Sequence, residues 1–178
     1  MNDLNEAFAI GGRGRKKASR IRPWVMLVTP LAAILFQVYV PLYLPLLHYL
    51  ELPLLVTVYL ALSRRNPLGG ALTGAAIGLV QDALSYQPIG ILGMVKTLIG
   101  YTAASVGVRL DTGHMVVRLC LGAFFFLGHQ LLYWALRRTL LGAPSGLEIP
   151  LTLVAALANG LVGVLLFSLL DKLKDTEG

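Results

Sequence analysis

The sequence has little charge, and its few charged residues are unevenly placed. Only 13% of the 178 residues are Asp, Glu, Lys or Arg, whereas soluble domains carry about a quarter. Between Trp24 and Leu62, 39 residues include one charged side chain, Glu51. Long apolar blocks of this kind are what a bilayer requires. The composition therefore excludes an ordinary soluble domain and predicts an integral membrane protein.

Cysteines and catalytic motifs are also scarce. Cys120 is the one cysteine, so the sequence excludes an intrachain disulfide. The chain contains no His-Glu-x-x-His motif, no phosphate-binding glycine loop and no pair of intramembrane aspartates. We therefore expect that the protein is not an enzyme and holds neither a cofactor nor a metal ion.

Apolar segments alternate with polar turns six times along the chain. The predicted spans cover residues 24–44, 47–62, 68–84, 89–108, 119–136 and 149–170. The second and third are 16 and 17 residues long, shorter than the ~20 that a full crossing needs. We interpret residues 23–171 as an all-α membrane domain, six transmembrane helices in a compact bundle. A basic tail, residues 1–22, precedes it and a short tail, residues 172–178, follows.

The basic residues indicate how the bundle is oriented. In alternate loops, 12 Lys and Arg fall on the side of both termini, and two, Arg137 and Arg138, fall on the other. The positive-inside rule then places both termini in the cytoplasm. Half of the 12 lie in the N-terminal tail, where we expect contact with anionic lipid and not with nucleic acid. They are Arg13, Arg15, Lys16, Lys17, Arg20 and Arg22.

Two spans carry regularly spaced glycines. Gly70, Gly74 and Gly78 repeat at every fourth position of the third span and so share one helix face, and the fourth span carries Gly93 and Gly100. In a bilayer, small residues let helix backbones approach closely. The glycine faces predict packing within the bundle or, alternatively, a docking face for another protein's transmembrane helix.

Asp82 and Lys96 are the costliest residues for a membrane protein to bury. A charge at mid-bilayer costs at least ~2.5 kcal/mol. The two residues flank one external loop, which contains Pro88 and Gly90. Either they pair or share a polar pocket below that loop, or Asp82 lies at the interface while Lys96 reaches outward to water. The sequence leaves both interpretations open.

A family resemblance rests on this same region. The run Gly-Ala-Ala-Ile-Gly-Leu-Val-Gln-Asp-Ala-Leu-Ser at 74–85, followed by Pro-Ile-Gly at 88–90, resembles the signature stretch of the rod shape-determining protein MreD family. In that family a glycine-rich helix ends in Gly-Leu-x-x-Asp, and Pro-x-Gly opens the next helix. The segment from Pro53 to Asn66, with Tyr59 before a basic turn, also fits. The resemblance covers about residues 53–105.

This resemblance implies a function that composition alone does not indicate. It implies a non-enzymatic component of the cell-elongation complex in the bacterial cytoplasmic (inner) membrane, which helps to organise peptidoglycan synthesis. The implied partners are the bitopic protein MreC and, through it, MreB, RodA and a class B penicillin-binding transpeptidase. The implied fold is similar to the six-helix substrate-binding subunits of energy-coupling-factor transporters. On this basis, the glycine face with Asp82 and the Pro88 loop would receive MreC.

Two other functions remain open. A small-molecule-binding subunit of a vitamin or metal transporter would need a polar pocket near the external face. The residues that would line it are Asp82, Lys96, Gln87, His48 and Glu51. An intramembrane enzyme or proton-coupled carrier would be built on Asp82, Lys96 and His129. Interhelical hydrogen bonding is the simpler role for His129, Gln130 and Asn159.

Overall fold

The computed structural model describes residues 23–85, 88–110, 112–142, 146 and 148–173, and all regular elements in these ranges are helical. The α-helices are α1 (Pro23–Tyr39), α2 (Leu52–Arg64), α3 (Pro67–Leu84), α4 (Ile91–Arg109), α5 (Met115–Leu141) and α6 (Ile149–Asp171). Two 3-10 helices, Val40–Leu42 and Pro45–Tyr49, connect α1 to α2. The predicted all-α class is confirmed. The basic tail, with its six predicted lipid contacts, lies outside the described residues.

Local sequence determines where the helices begin and end. Arg65 ends α2 in the left-handed conformation, with φ of 53°. Asn66 then caps α3, since its side-chain oxygen accepts a hydrogen bond from the Gly69 N–H at 3.2 Å. Pro67 fills the first turn of α3, where its missing N–H costs nothing. This short turn makes α2 and α3 antiparallel neighbours.

Helix α2 lies at the centre of the bundle. Every residue from Pro53 to Leu62 is buried, and α2 packs against all five other α-helices. Its 13 residues span about 20 Å, less than the ~30 Å of a hydrocarbon core. The rest of this crossing is the 3-10 helix Pro45–Tyr49 and an extended link. Non-helical backbone is tolerated at membrane depth where it lines a cavity, and this segment lines the cavity described below.

Five stretches are long and apolar enough to cross a membrane, which is consistent with a multi-pass membrane protein. They are Pro23–Leu42, Pro45–Arg64, Ile91–Arg109, Met115–Leu141 and Ile149–Asp171. Helix α3 is not among them, although it has 18 residues, so the sixth crossing stays a prediction. Helix α5 is longer than the predicted 119–136, since it also includes the basic residues Arg118, Arg137 and Arg138 near its two ends. Their long side chains can reach water from within it.

Successive helices run in opposite directions, so the bundle has two ends. One, which we call the basic end, carries Arg64, Arg65, Arg109 and Arg118. There the Asp171 carboxylate of α6 accepts a hydrogen bond from the Tyr59 hydroxyl of α2 at 3.1 Å and pairs with Arg118 of α5 at 2.5 Å. These contacts tie three helices together. We call the opposite end, where α3 leads into α4, the loop end.

Candidate functional site

Helices α3 and α4 pack with their backbones in contact. Gly70, Gly74 and Gly78 face α4 and are buried. A methyl group on any of the three would overlap a backbone carbonyl oxygen of α4. These oxygens belong, in that order, to Gly100, Lys96 and Leu92. The glycine repeat therefore lets the two backbones approach more closely than any side chain would allow.

The fourth-span glycines belong to the same contact. A methyl group on Gly100 would overlap the carbonyl oxygen of Gly70, and one on Gly93 would meet the Leu79 side chain at 2.9 Å. All five predicted glycines thus lie between α3 and α4. The packing interpretation agrees with this arrangement. The docking interpretation does not, because α4 already covers the face on which a partner helix was expected.

Asp82 holds the start of α4. Its Oδ2 accepts hydrogen bonds from the N–H groups of Gly90 at 2.9 Å and Gly93 at 3.1 Å, and its Oδ1 accepts one from Leu92 at 3.2 Å. The first N–H groups of a helix have no partner within the helix, and a carboxylate there also interacts favourably with the helix dipole. Asp82, at the end of α3, thus acts as a cap for the next helix.

The turn before α4 explains the spacing of the signature residues. Gly90 has φ of 106°, a left-handed conformation that side chains disfavour. This conformation turns the chain so that the N–H of Gly90 itself points to Asp82. Pro88 is exposed at the outside of the same turn. The pattern of Asp82, Pro88 and Gly90 is therefore explained by a helix clamp, in which the end of α3 is bonded to the start of α4.

Lys96 is fully buried, with an exposure of 0%, and has partners other than the one considered from the sequence. Its Nζ donates a hydrogen bond to Gln81 Oε1 and lies 3.7 Å from Glu51 Oε2. Asp82 is bound to backbone N–H groups instead, so the direct Asp82–Lys96 pair is wrong. The other interpretation, with Asp82 at the interface and Lys96 reaching outward to water, is also wrong, because the two side chains are 1% and 0% exposed.

Asn159 attaches the segment before α2 to helix α6. Its Oδ1 accepts a hydrogen bond from the Glu51 N–H at 2.8 Å, and its Nδ2 donates to the Tyr49 carbonyl at 2.8 Å. A second bond from Nδ2, to Ala155 O at 2.9 Å, fixes the amide on its own helix. Asn159 therefore makes the hydrogen bonds between segments expected of it, and these bonds position Glu51.

A cavity of about 480 Å³ opens at the loop end, between α1, α5 and the segment before α2. Its polar lining includes Gln37, His48, Glu51, Gln81, His129 and Tyr133. Of the five residues predicted to line such a pocket, His48 and Glu51 do so. Asp82 and Lys96 lie outside the lining, although Lys96 contacts two lining residues, and Gln87 lies outside the described residues.

Sequence reasoning did not place Gln37, Gln81 or Tyr133 at this site. Gln81 directly precedes Asp82, and the charged residue, not the neutral one beside it, was considered from the sequence. Gln37 lies near the end of an apolar span, and a glutamine there is a signal of polar surroundings. No group of three or more His, Cys, Asp or Glu side chains with metal-site geometry occurs among the residues that the structure describes.

Comparison with known protein families identifies what this chain is similar to. A family model described as rod shape-determining protein MreD matches residues 18–173 of the 178. Neither the curated proteins nor the solved structures give a match. The implied likeness to energy-coupling-factor subunits therefore stays a prediction.

Proposed function

From the premise that the chain belongs to the MreD family of rod shape-determining proteins, we propose that it is a scaffold of cell elongation that binds MreC. The family match covers the whole membrane domain, residues 23–171, and carries this proposal. Membership gives the chain a role in rod shape determination and hence in peptidoglycan synthesis. The family is one of structural membrane proteins and is not a known enzyme family.

The proposed location is the bacterial cytoplasmic membrane, with both termini in the cytoplasm. The bundle's basic end would face the cytoplasm and the cavity would open outward, in agreement with the positive-inside rule. Through MreC, the protein would be linked to MreB, RodA and a class B penicillin-binding transpeptidase. In this orientation the basic tail would lie against the anionic leaflet.

The packing of the glycines directs the proposed MreC contact to another surface. An apolar groove of about 640 Å³ runs between α1 and α3. Pro30, Ile34, Leu72, Ala76 and Val80 are among its lining residues. Thr73, which also lines the groove, donates its hydroxyl to the Gly69 carbonyl at 2.7 Å, so it leaves no unmatched donor facing lipid. Such a groove suits the single transmembrane helix of MreC.

Affinity purification from the native host tests the proposed function. Tagged protein is extracted in mild detergent, and the bound proteins are identified by mass spectrometry. We expect MreC, accompanied by RodA and the transpeptidase. Recovery of a transporter's coupling subunit and ATPases in place of MreC would contradict the proposal and favour the ligand-binding transporter subunit.

A matched pair of tryptophan variants tests the groove itself. Ala76 lines the groove and is exposed, so Ala76→Trp would fill it without disturbing a buried contact. Ala32 is also exposed but is not in the groove lining, and Ala32→Trp serves as the control. We expect Ala76→Trp to reduce MreC recovery about tenfold, a loss of about 1.4 kcal/mol of binding free energy. Equal recovery with the two variants would exclude the groove.

A further inference from the structure

The cavity at the loop end contains polar atoms that the fold itself does not use. His129 is 1% exposed, and neither of its ring nitrogens has a hydrogen-bond partner among the described residues. Gln37 Oε1 and Glu51 Oε2 are also buried without a hydrogen-bond partner, although Glu51 Oε2 lies 3.7 Å from Lys96 Nζ. The great majority of buried polar atoms in proteins are hydrogen-bonded. The unmatched side chains of His129 and Gln37, together with a carboxylate that has only a long ion pair, therefore point to a ligand.

The charges around the cavity restrict the class of ligand. The carboxylate of Glu51 is balanced by Lys96, so the polar lining is close to neutral. A ligand with a net positive or negative charge would leave an unbalanced charge in this partly enclosed cavity, at a cost in free energy. The unmatched Gln37 Oε1 is an acceptor, and the Glu51 carboxylate can accept further hydrogen bonds beside its ion pair with Lys96. The ligand that fits is therefore uncharged and rich in hydrogen-bond donors.

Aromatic rings in the lining restrict the ligand further. The His129 ring stacks on the Tyr133 ring, with 6.2 Å between centroids and 3° between planes, and His48 and Tyr49 also line the cavity. Flat rings accept the C–H face of a cyclic polyol, while amide and carboxylate oxygens accept hydrogen bonds from its hydroxyls. A volume of about 480 Å³ is within the range of small-molecule sites.

We propose that this cavity binds a neutral pyranose sugar, either a free sugar or the headgroup of a glycolipid. Gln37 and Glu51 accept hydrogen bonds from the sugar hydroxyls, and His129 supplies one donor and one acceptor. The site goes beyond the proposed scaffold function, because it lies at the loop end and does not share lining residues with the α1–α3 groove. Loss of MreC recovery would leave the sugar site untouched.

Two variants are designed so that a structural role and a ligand role give different results. His129→Phe keeps a ring against Tyr133 and removes both nitrogens, and Gln37→Leu removes an acceptor that bonds to no described residue. If these atoms serve no ligand, their removal leaves every measured property unchanged or raises thermal stability. Thr102→Val is the control, because Thr102 is exposed on α4 and its hydroxyl bonds within its own helix.

The test uses the full chain in lipid nanodiscs. N-acetylglucosamine and glucose are the soluble probes. Monoglucosyl-diacylglycerol in the nanodisc, compared with plain diacylglycerol, is the membrane probe. Binding is followed as a saturable rise in the midpoint of thermal unfolding.

We expect the wild type and Thr102→Val to respond to at least one probe, and His129→Phe and Gln37→Leu to bind it about tenfold more weakly. A response to the soluble sugars assigns a free ligand, and a response to the glycolipid alone assigns a headgroup. The absence of any saturable response in the wild type would overturn the proposal. Equal responses by His129→Phe and the wild type would also overturn it.

Discussion

The α3–α4 contact and the polar cavity lie side by side, and they differ in how completely their polar atoms are hydrogen-bonded. In the contact, glycines of one helix pack directly on carbonyl oxygens of the other, and the loop-end N–H groups are bonded to Asp82. In the cavity, the ring nitrogens of His129 and the amide oxygen of Gln37 have no hydrogen-bond partner within the part of the chain that the structure describes. The difference indicates that one region fixes the bundle and the other is available for binding.

Lys96 lies on the border between the two regions. Its carbonyl oxygen is the one that faces Gly74, and its ammonium group extends to Gln81 and Glu51, which line the cavity. One residue therefore connects the backbone packing of α4 with the polar lining. Changes at Lys96, Gly74 and Asp82 separate the contributions of the two regions, and their expected effects decrease in that order.

Replacing Lys96 is expected to have the largest effect on stability. Lys96→Met removes the cation beside Glu51 and the donor to Gln81. Breaking a buried ion pair on one side leaves an uncompensated charge, and we expect a loss of about 4 kcal/mol in the free energy of unfolding. The measurement is a titration with sodium dodecyl sulfate in mixed micelles, followed by tryptophan fluorescence.

A double-mutant cycle identifies the partner of Lys96. We expect Lys96→Met combined with Glu51→Gln to cost about 2 kcal/mol less than the sum of the single changes, because neither charge is then left alone. Lys96→Met combined with Asp82→Ala is expected to show a smaller coupling, since Asp82 bonds to the backbone and not to Lys96. A stronger coupling to Asp82 than to Glu51 would contradict the structure and restore the pair considered from the sequence.

Gly74→Ala tests whether α3 and α4 are in backbone contact. The added methyl group would overlap the Lys96 carbonyl oxygen, so the two helices must separate. Overpacking of this kind is expected to cost about 3 kcal/mol. Gly128→Ala on α5 is the matched control, because its methyl group would meet Ile99 Cδ1 at an ordinary 3.6 Å. If the two variants unfold at equal detergent fractions, the close contact does not exist.

Asp82→Ala tests the helix clamp at the loop end. It removes the acceptor for three N–H groups at the start of α4, and we expect a loss of about 2 kcal/mol. Asp82→Asn keeps one acceptor oxygen and should lose about half of that. The same titration measures both variants. A full loss with Asn would show that the charge matters more than the hydrogen bonds, contrary to the geometry.

These regions also differ in how far the sequence predicts them. A glycine at every fourth position predicts a close helix contact, because a helix face repeats at nearly that interval. The role of Asp82 was not predictable, since its partners are backbone N–H groups that every residue except proline carries. Glu51 is far from Lys96 along the chain, and a single sequence does not indicate such a pair. Unmatched atoms such as those of His129 are visible only in three dimensions.

Tyr59→Phe is expected to have the smallest effect and to leave both regions intact. The change removes the hydroxyl that donates to Asp171 at the basic end, far from the cavity and the clamp. Since Arg118 still pairs with Asp171, we expect a loss of only about 1 kcal/mol in the free energy of unfolding. Tyr101→Phe, at an exposed position on α4, is the control and should change nothing. A loss as large as that of Lys96→Met would contradict this expectation. It would show that the basic end stabilises the bundle as strongly as the Lys96–Glu51 ion pair, so that the stabilising contacts are not concentrated beside α4.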